Sequence, residues 1–206
     1  MNSHNLIEEL YKLPLYHRIA FAATCCERLL PNYAAFCLAE RLNEDNTASL
    51  FNILDLIWVF AEQEYVDTVQ AQQAIDVCNY LLPETEDFDT VYTTLALNAV
   101  AAILHTLYVC LQEPNNHLNN IIELIFDTYD EYLQIVGAPN LQPHQVEHSM
   151  VEWIAQSPLF VTERQKQASD LAFLQSNSTL SRDIINYLRQ SSKQIGIHPI
   201  KRGLLK

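Results

Sequence analysis

Apolar residues recur at intervals of three and four along nearly the whole chain, and no stretch alternates with period two for long enough to form a strand. The pattern predicts an all-α protein, a single-domain bundle of about eight to nine helices over residues 1–195 followed by a flexible basic tail at 196–206. A Ser3 cap opens a first helix over residues 3–13, and Pro14 suits the first position of a second that extends to Leu30. Pro31 breaks or kinks that helix, and residues 32–42 continue helically. A strongly apolar third helix, ASLFNILDLIWVFAEQE, starts at Asn46 or Thr47, and a fourth runs from an Asp67 cap to Leu82, stopped by Pro83. Asp89 is placed to cap the long TVYTTLALNAVAAILHTLYVCLQE helix, which ends at Pro114. Its Ala96, Ala99, Ala101 and Ala102 let neighbouring helices approach closely, which puts it at the centre of the bundle. Further helices are expected over residues 116–136, 144–156, after Pro158, and over 180–195.

Composition refines this picture in two places. Cys25, Cys26, Cys37, Cys78 and Cys110 form no C-x-x-C pair and all lie in apolar helical segments, the usage of reduced, buried thiols. Gly137, Gly196 and Gly203 each fall at or beyond the end of a helix-like segment, where a left-handed capping residue is wanted. The N-terminal MNSHNLIEELYKL carries no basic stretch leading into an apolar run and a small-residue cleavage site, and apolar runs stop well short of ~18 residues. A cytoplasmic protein with no membrane contact is expected.

Charge narrows the range of partners. The formal net charge is −13, and no Lys or Arg occurs between Arg41 and Arg164, a stretch holding 19 Asp and Glu. Such a field repels phosphate backbones and anionic lipid, so nucleic acid is not an expected partner. It serves solubility, or it offers a face to a basic protein partner.

The densest candidate chemistry surrounds Pro31. The proline removes the N–H that the Glu27 carbonyl expects, and Arg28, Asn32 and the Tyr33 hydroxyl lie close enough in sequence to satisfy it. The alternative is that the bend opens a binding pocket with Glu27, Asn32 and Tyr33 at its mouth. Asp55 is the only charge in LFNILDLIWVF, so it is expected to be partly buried and to need a cation, with Arg28 the first choice and Arg18 the second. An arginine neighbour holds such a carboxylate ionised, which suits a structural tie better than proton transfer.

Three other patterns carry weaker implications. His144 and His148 in HQVEH match an inverted zinc-peptidase arrangement, but no third ligand or strand framework accompanies them. Glu123, Asp127, Asp130 and Glu131 share a helix face without any Glu-x-x-His pair, which reads as a solvated acidic stripe. A nucleophilic pairing of His105 with Cys26 or Cys37 would need a lowered thiol pKa in an electropositive setting. No metal or cofactor is expected.

The run C-E-R-x-x-P-N-Y-x-x-F-C at residues 26–37, LDLIW at 54–58, and LLPETEDFDTVY at 81–92 ahead of an alanine-rich helix together resemble the YjaG-like family, the bacterial domain of unknown function 416. These motifs cover roughly the first half of the chain, up to about Gln112. The resemblance implies a small all-helical bacterial protein and brings no catalytic residue or cofactor with it. The expectation is therefore a helical interaction protein that self-associates and has no chemistry of its own, a homo-oligomer with a buried apolar patch. An enzyme or small-ligand binder using Glu27, Arg28, Asn32, Tyr33 and Asp55 at the Pro31 bend is the alternative, and capture of a basic protein a weaker one.

Overall fold

Short polar side chains set where two of the helices begin. In the computed structural model, which describes residues 3–84, 86–88, 90, 92–113, 115–137 and 152–196, the Asn43 side chain accepts the Asp45 N–H at 3.0 Å. The third helix therefore starts a few residues earlier than Asn46, because Asn43 reaches a free first-turn donor before Asn46 can. Asp67 does the same for the fourth, accepting from the N–H groups of Val69 and Gln70 at 3.0 and 3.1 Å.

Nine helices and no strand are found among the described residues. They are α1 (Ser3–Tyr11), α2 (Leu15–Ala39), α3 (Glu44–Gln63), α4 (Thr68–Leu81), α5 (Thr93–Cys110), α6 (His117–Gly137), α7 (residues 152–156), α8 (Pro158–Ser176) and α9 (Arg182–Lys193). The all-α bundle read from the periodicity is the architecture found. Asp89, the HQVEH segment and the basic tail beyond residue 196 lie outside the described residues; α5 begins at Thr93, with Tyr92 before it making no side-chain cap bond.

Two helices share the centre. Every residue from Ile19 to Leu30 of α2 is buried, and its longest shared surface is with α5, on which α4 and α6 also pack. Ala96, Ala99 and Ala102 are all fully buried, which permits that close approach. By length and composition alone α5 could cross a membrane, yet 72% of it is buried inside the bundle. Pro31 does not end α2, which runs on to Ala39. The remaining faces of α2 are covered by α3 on one side and by α8 and α9 on another.

The scarcity of glycine is met in an unexpected way. Arg41, Glu64 and Gln112, at the ends of α2, α3 and α5, take left-handed φ angles of 53°, 49° and 57°. In each case the next residue's N–H bonds the carbonyl five residues back: Leu42 to Cys37 at 2.9 Å, Tyr65 to Phe60 at 3.3 Å, Glu113 to Tyr108 at 3.1 Å. That is the six-to-one closure of a Schellman turn, made here with side-chain-bearing residues where glycine is the usual choice.

A left-handed residue with a Cβ carries local strain of about 1–2 kcal/mol, part of which glycine returns as extra freedom in the unfolded chain. Glu64→Gly is therefore expected to raise stability by about 0.5–1 kcal/mol, read as a higher urea midpoint at unchanged m-value.

Candidate functional site

Arg28 leaves α2 from a fully buried position, where a guanidinium without counter-charge is untenable. Its Nε and Nη2 both donate to Glu163 Oε1, at 3.1 and 2.8 Å, and its Nη1 donates to Asp170 Oδ2 at 3.3 Å and to the Thr24 carbonyl at 2.9 Å. Glu163 also accepts from Gln167 at 2.9 Å and, on its other oxygen, from the Tyr129 hydroxyl of α6 at 3.1 Å. Asp170 is paired in turn with Lys166, whose ammonium donates to Ser191 of α9 at 3.1 Å. Two cations and two carboxylates thus neutralise one another inside the protein, joining α2, α6, α8 and α9.

The titration of these groups follows from that setting. Burial works against the charge of Arg28, but Glu163, Cys25 and Asp170 beside it outweigh burial and hold its pKa above the ordinary arginine value. Burial lowers the Lys166 pKa, and Asp170 opposes that shift only in part. Burial likewise pushes the thiols of Cys25, Cys78 and Cys110 up to about 12, and raises those of Cys26 and Cys37. No described cysteine is set up as a thiolate nucleophile at neutral pH.

The neighbouring Glu27 faces another way. Its Oε1 accepts from the indole N–H of Trp58 at 3.0 Å and from Arg189 Nε of α9, also at 3.0 Å. The same arginine pairs with Asp55 and lies over the Trp58 ring, 5.8 Å from its centroid. Asp55 is therefore held by Arg189, neither by Arg28 nor by Arg18. Arg28 is committed to the two buried carboxylates of α8, and the Asp55 side chain, 56% exposed, sits at the rim rather than in the core.

The five residues picked out by sequence consequently occupy separate surroundings. Glu27 and Asp55 share Arg189, while Arg28 points into the α8 network. Tyr33 donates to the Leu81 carbonyl at 3.2 Å, and its hydroxyl pKa is raised by burial. Both amide atoms of Asn32 are buried with no partner among the described residues. The local satisfaction of the Glu27 carbonyl by Arg28 and Tyr33 is thus not what forms, because both side chains are drawn to stronger partners on other helices.

Elsewhere, His105 pairs with His117 through their Nδ1 atoms at 2.9 Å, while Cys26 lies against Thr106 at 3.3 Å. On α6, Glu123 is exposed and accepts from Asn119 at 3.0 Å, and Asp127 has its pKa raised by partial burial and by Asp130. Among the described residues no group of three or more His, Cys, Asp and Glu is arranged to hold a metal ion.

Sequence reasoning missed the partners on the second half: Glu163, Lys166, Gln167, Asp170 and Arg189. The first four stand at i, i+3, i+4 and i+7 on one face of α8, the same spacing as an apolar stripe, and all four are buried. A polar row with core spacing, facing a helix that carries the isolated Arg28, was the available signal.

Comparison with known proteins places this arrangement. The family model described as a protein of unknown function, DUF416, matches residues 5–200, well past the motifs of the first half. A solved DUF416 family protein from Shewanella baltica OS155 superposes with a TM-score of 0.79 at 22% identity, covering 94% of this chain and 96% of that one, which shows a shared fold. An uncharacterised protein of Haemophilus influenzae is 26% identical over 104 residues, and the match spans about half of each chain, 50% of this one and 52% of the relative.

Removing one partner of a buried pair strands the other charge, so Arg28→Met is expected to cost about 3–5 kcal/mol by denaturant titration. Arg28→Met combined with Glu163→Leu should recover much of that loss, a coupling that a double-mutant cycle reads directly. A separate pH effect comes from the histidines. Burial first, then His117, lowers the His105 pKa below 6.5, and burial lowers that of His117 against the opposing pull of Glu113. The unfolded chain takes up protons first, so their contribution is whole above pH 6.5 and is lost as pH falls through the depressed values. Thermal melts should show this loss, with a shallower slope for His105→Asn.

Proposed function

The chain belongs to the DUF416 family of proteins of unknown function, and from its surface we propose that it is a helical interaction module that pairs with a second copy of itself and performs no chemistry. The observation that carries this reading is an apolar groove of ≈ 760 Å3 between the end of α2 and the start of α3. Its lining includes the small Ala34, Cys37 and Ala48, while Leu38, 60% exposed, and Phe51, 38% exposed, stand at the same place. A recess and protruding apolar side chains on one patch make that patch self-complementary under a two-fold axis.

Charge supports the same occupant. Arg41, Glu44 and Asp45 also line the groove, and the Arg41 side chain has no hydrogen-bond or ion-pair partner among the described residues. A two-fold rotation can set Arg41 of one copy against the carboxylates of the other, which offsets part of the repulsion between two chains of net charge −13. Val59 of α3 and Val69 and Tyr80 of α4 are exposed apolar side chains as well, the last 85% exposed. By contrast, the charged groups between α2 and α8 are buried and mutually neutralised, which favours binding over catalysis there.

Sedimentation velocity on the full chain over the micromolar range tests the reading. A dimer is expected, and Leu38→Glu with Phe51→Glu should weaken it by 30-fold or more, about 2 kcal/mol, with helical circular dichroism unchanged. Arg41→Glu should weaken it as well, and Glu44→Arg in the same chain should restore it. A wild-type protein that stays monomeric throughout, or a dimer indifferent to Leu38 and Phe51, overturns self-association through this groove. Salt-sensitive capture of a basic protein by such a monomer would favour the acidic-surface alternative.

A further inference from the structure

A second recess lies on another side of the bundle, where the end of α1 and the start of α2 meet the α5–α6 connection. Its volume is ≈ 220 Å3, below the ~300–1,000 Å3 of drug-sized sites and suited to a much smaller molecule. Arg18, Gln112, Glu113, Asn115 and His117 line it. His117 is also the first residue of α6, so the start of that helix lies at the recess.

The histidine pair fixes what His117 presents there. The Asn120 amide nitrogen lies 3.4 Å from His105 Nε2 and can only donate, so that ring nitrogen accepts. In a neutral imidazole the other nitrogen then carries the hydrogen, and His105 Nδ1–H donates to His117 Nδ1 at 2.9 Å. His117 is thereby left with its hydrogen on Nε2. That atom is buried and has no partner among the described residues, and the residue as a whole is only 6% exposed. The Tyr108 ring packs against the His117 ring at a tilt, with centroids 5.0 Å apart. Both imidazoles have pKa values lowered by burial, in keeping with the neutral forms this chain of bonds requires.

Two opposite charges complete the lining without meeting. The Arg18 Nε is buried with no partner, and neither Arg18 nor Glu113 makes a side-chain hydrogen bond or ion pair among the described residues. A guanidinium and an N–H donor call for an acceptor of negative charge. Glu113 in the same recess repels a phosphate dianion and calls for a cation. One small molecule that carries both a carboxylate and an ammonium group answers all of these groups at once.

We propose that this recess is a binding site for a small α-amino-acid-like zwitterion, its carboxylate taken by Arg18 and the Nε2–H of His117 and its ammonium by Glu113. His105 and Asn120 are positioning residues, setting the tautomer through which His117 acts.

Isothermal titration of the full chain with each of the L-α-amino acids, their N-acetyl derivatives, acetate and inorganic phosphate tests the site. At least one amino acid is expected to bind, with its N-acetyl derivative weaker by tenfold or more. Arg18→Gln should weaken binding by tenfold or more, and Glu113→Gln should weaken the amino acid while leaving acetate no weaker. Arg18 is only half-buried and Glu113 is exposed, so these variants keep the test available even if a His117 variant fails to fold. Long-range 1H–15N spectra should report His117 as the Nε2–H tautomer. No binding by any amino acid, affinity indifferent to Arg18, tighter binding of phosphate, or an Nδ1–H His117 would each overturn the proposal.

Discussion

The buried guanidinium of Arg28 constrains how the second half of this protein can attach to the first. Arg28 stands in the middle of α2 among apolar neighbours, and its burial is tolerable only because Glu163 and Asp170 reach it from α8. The carboxylates need more than one donor each, and Tyr129, Gln167 and Lys166 supply them. Attraction in this setting is directional, so it fixes the rotation and register of α8 on α2 more tightly than apolar contact would. An apolar α8 of the same length could have slid or turned; this one has a single arrangement that leaves no charge alone.

The same logic separates what the sequence made legible from what it hid. Caps such as Asp67 act on amides two and three residues away, so local chemistry was enough to find them. Helix spacing and the alanines of α5 likewise identify the fold class and a central helix. The partner of Asp55 was out of reach, because Arg189 lies 134 residues along the chain and competes with arginines much closer in sequence. Those nearer arginines are taken up elsewhere, Arg28 by α8 and Arg18 by the margin of a recess. The polar row of α8 has the spacing of a solvated face as much as that of a core face, and only the presence of Arg28 opposite it decides between them. Pro31 drew attention to the right helix; the bonds near it, however, go to other helices rather than to the carbonyl it frees.

The two recesses differ in kind, and the difference follows from where they sit. The groove beside α2 and α3 is lined mainly by apolar and small side chains and carries its charges together, as a surface meant to meet another surface would. The recess at the α5–α6 connection is smaller, with donors and a carboxylate that find no hydrogen-bond or ion-pair partner among the described residues. Each lies beside a helix end closed by a left-handed residue, Arg41 in one case and Gln112 in the other. Closing a turn with such a residue keeps a side chain at the recess where glycine would offer none, at the expense of some local strain.

The long reach of the Arg28 bonds bears on the order in which the molecule can assemble. Its partners lie 135 and 142 residues later. While the chain emerges from a ribosome, α2 through α6 can gather around one another, but the face of α2 that carries the Arg28 guanidinium lacks both its cover and its counter-charges until α8 arrives. The early core must therefore stay loose and wet around residue 28 until α8 has been made. Final consolidation becomes an event of the whole chain, so a nascent or truncated form ending before Glu163 would expose its apolar interior to chaperones and proteases rather than persist as a finished half.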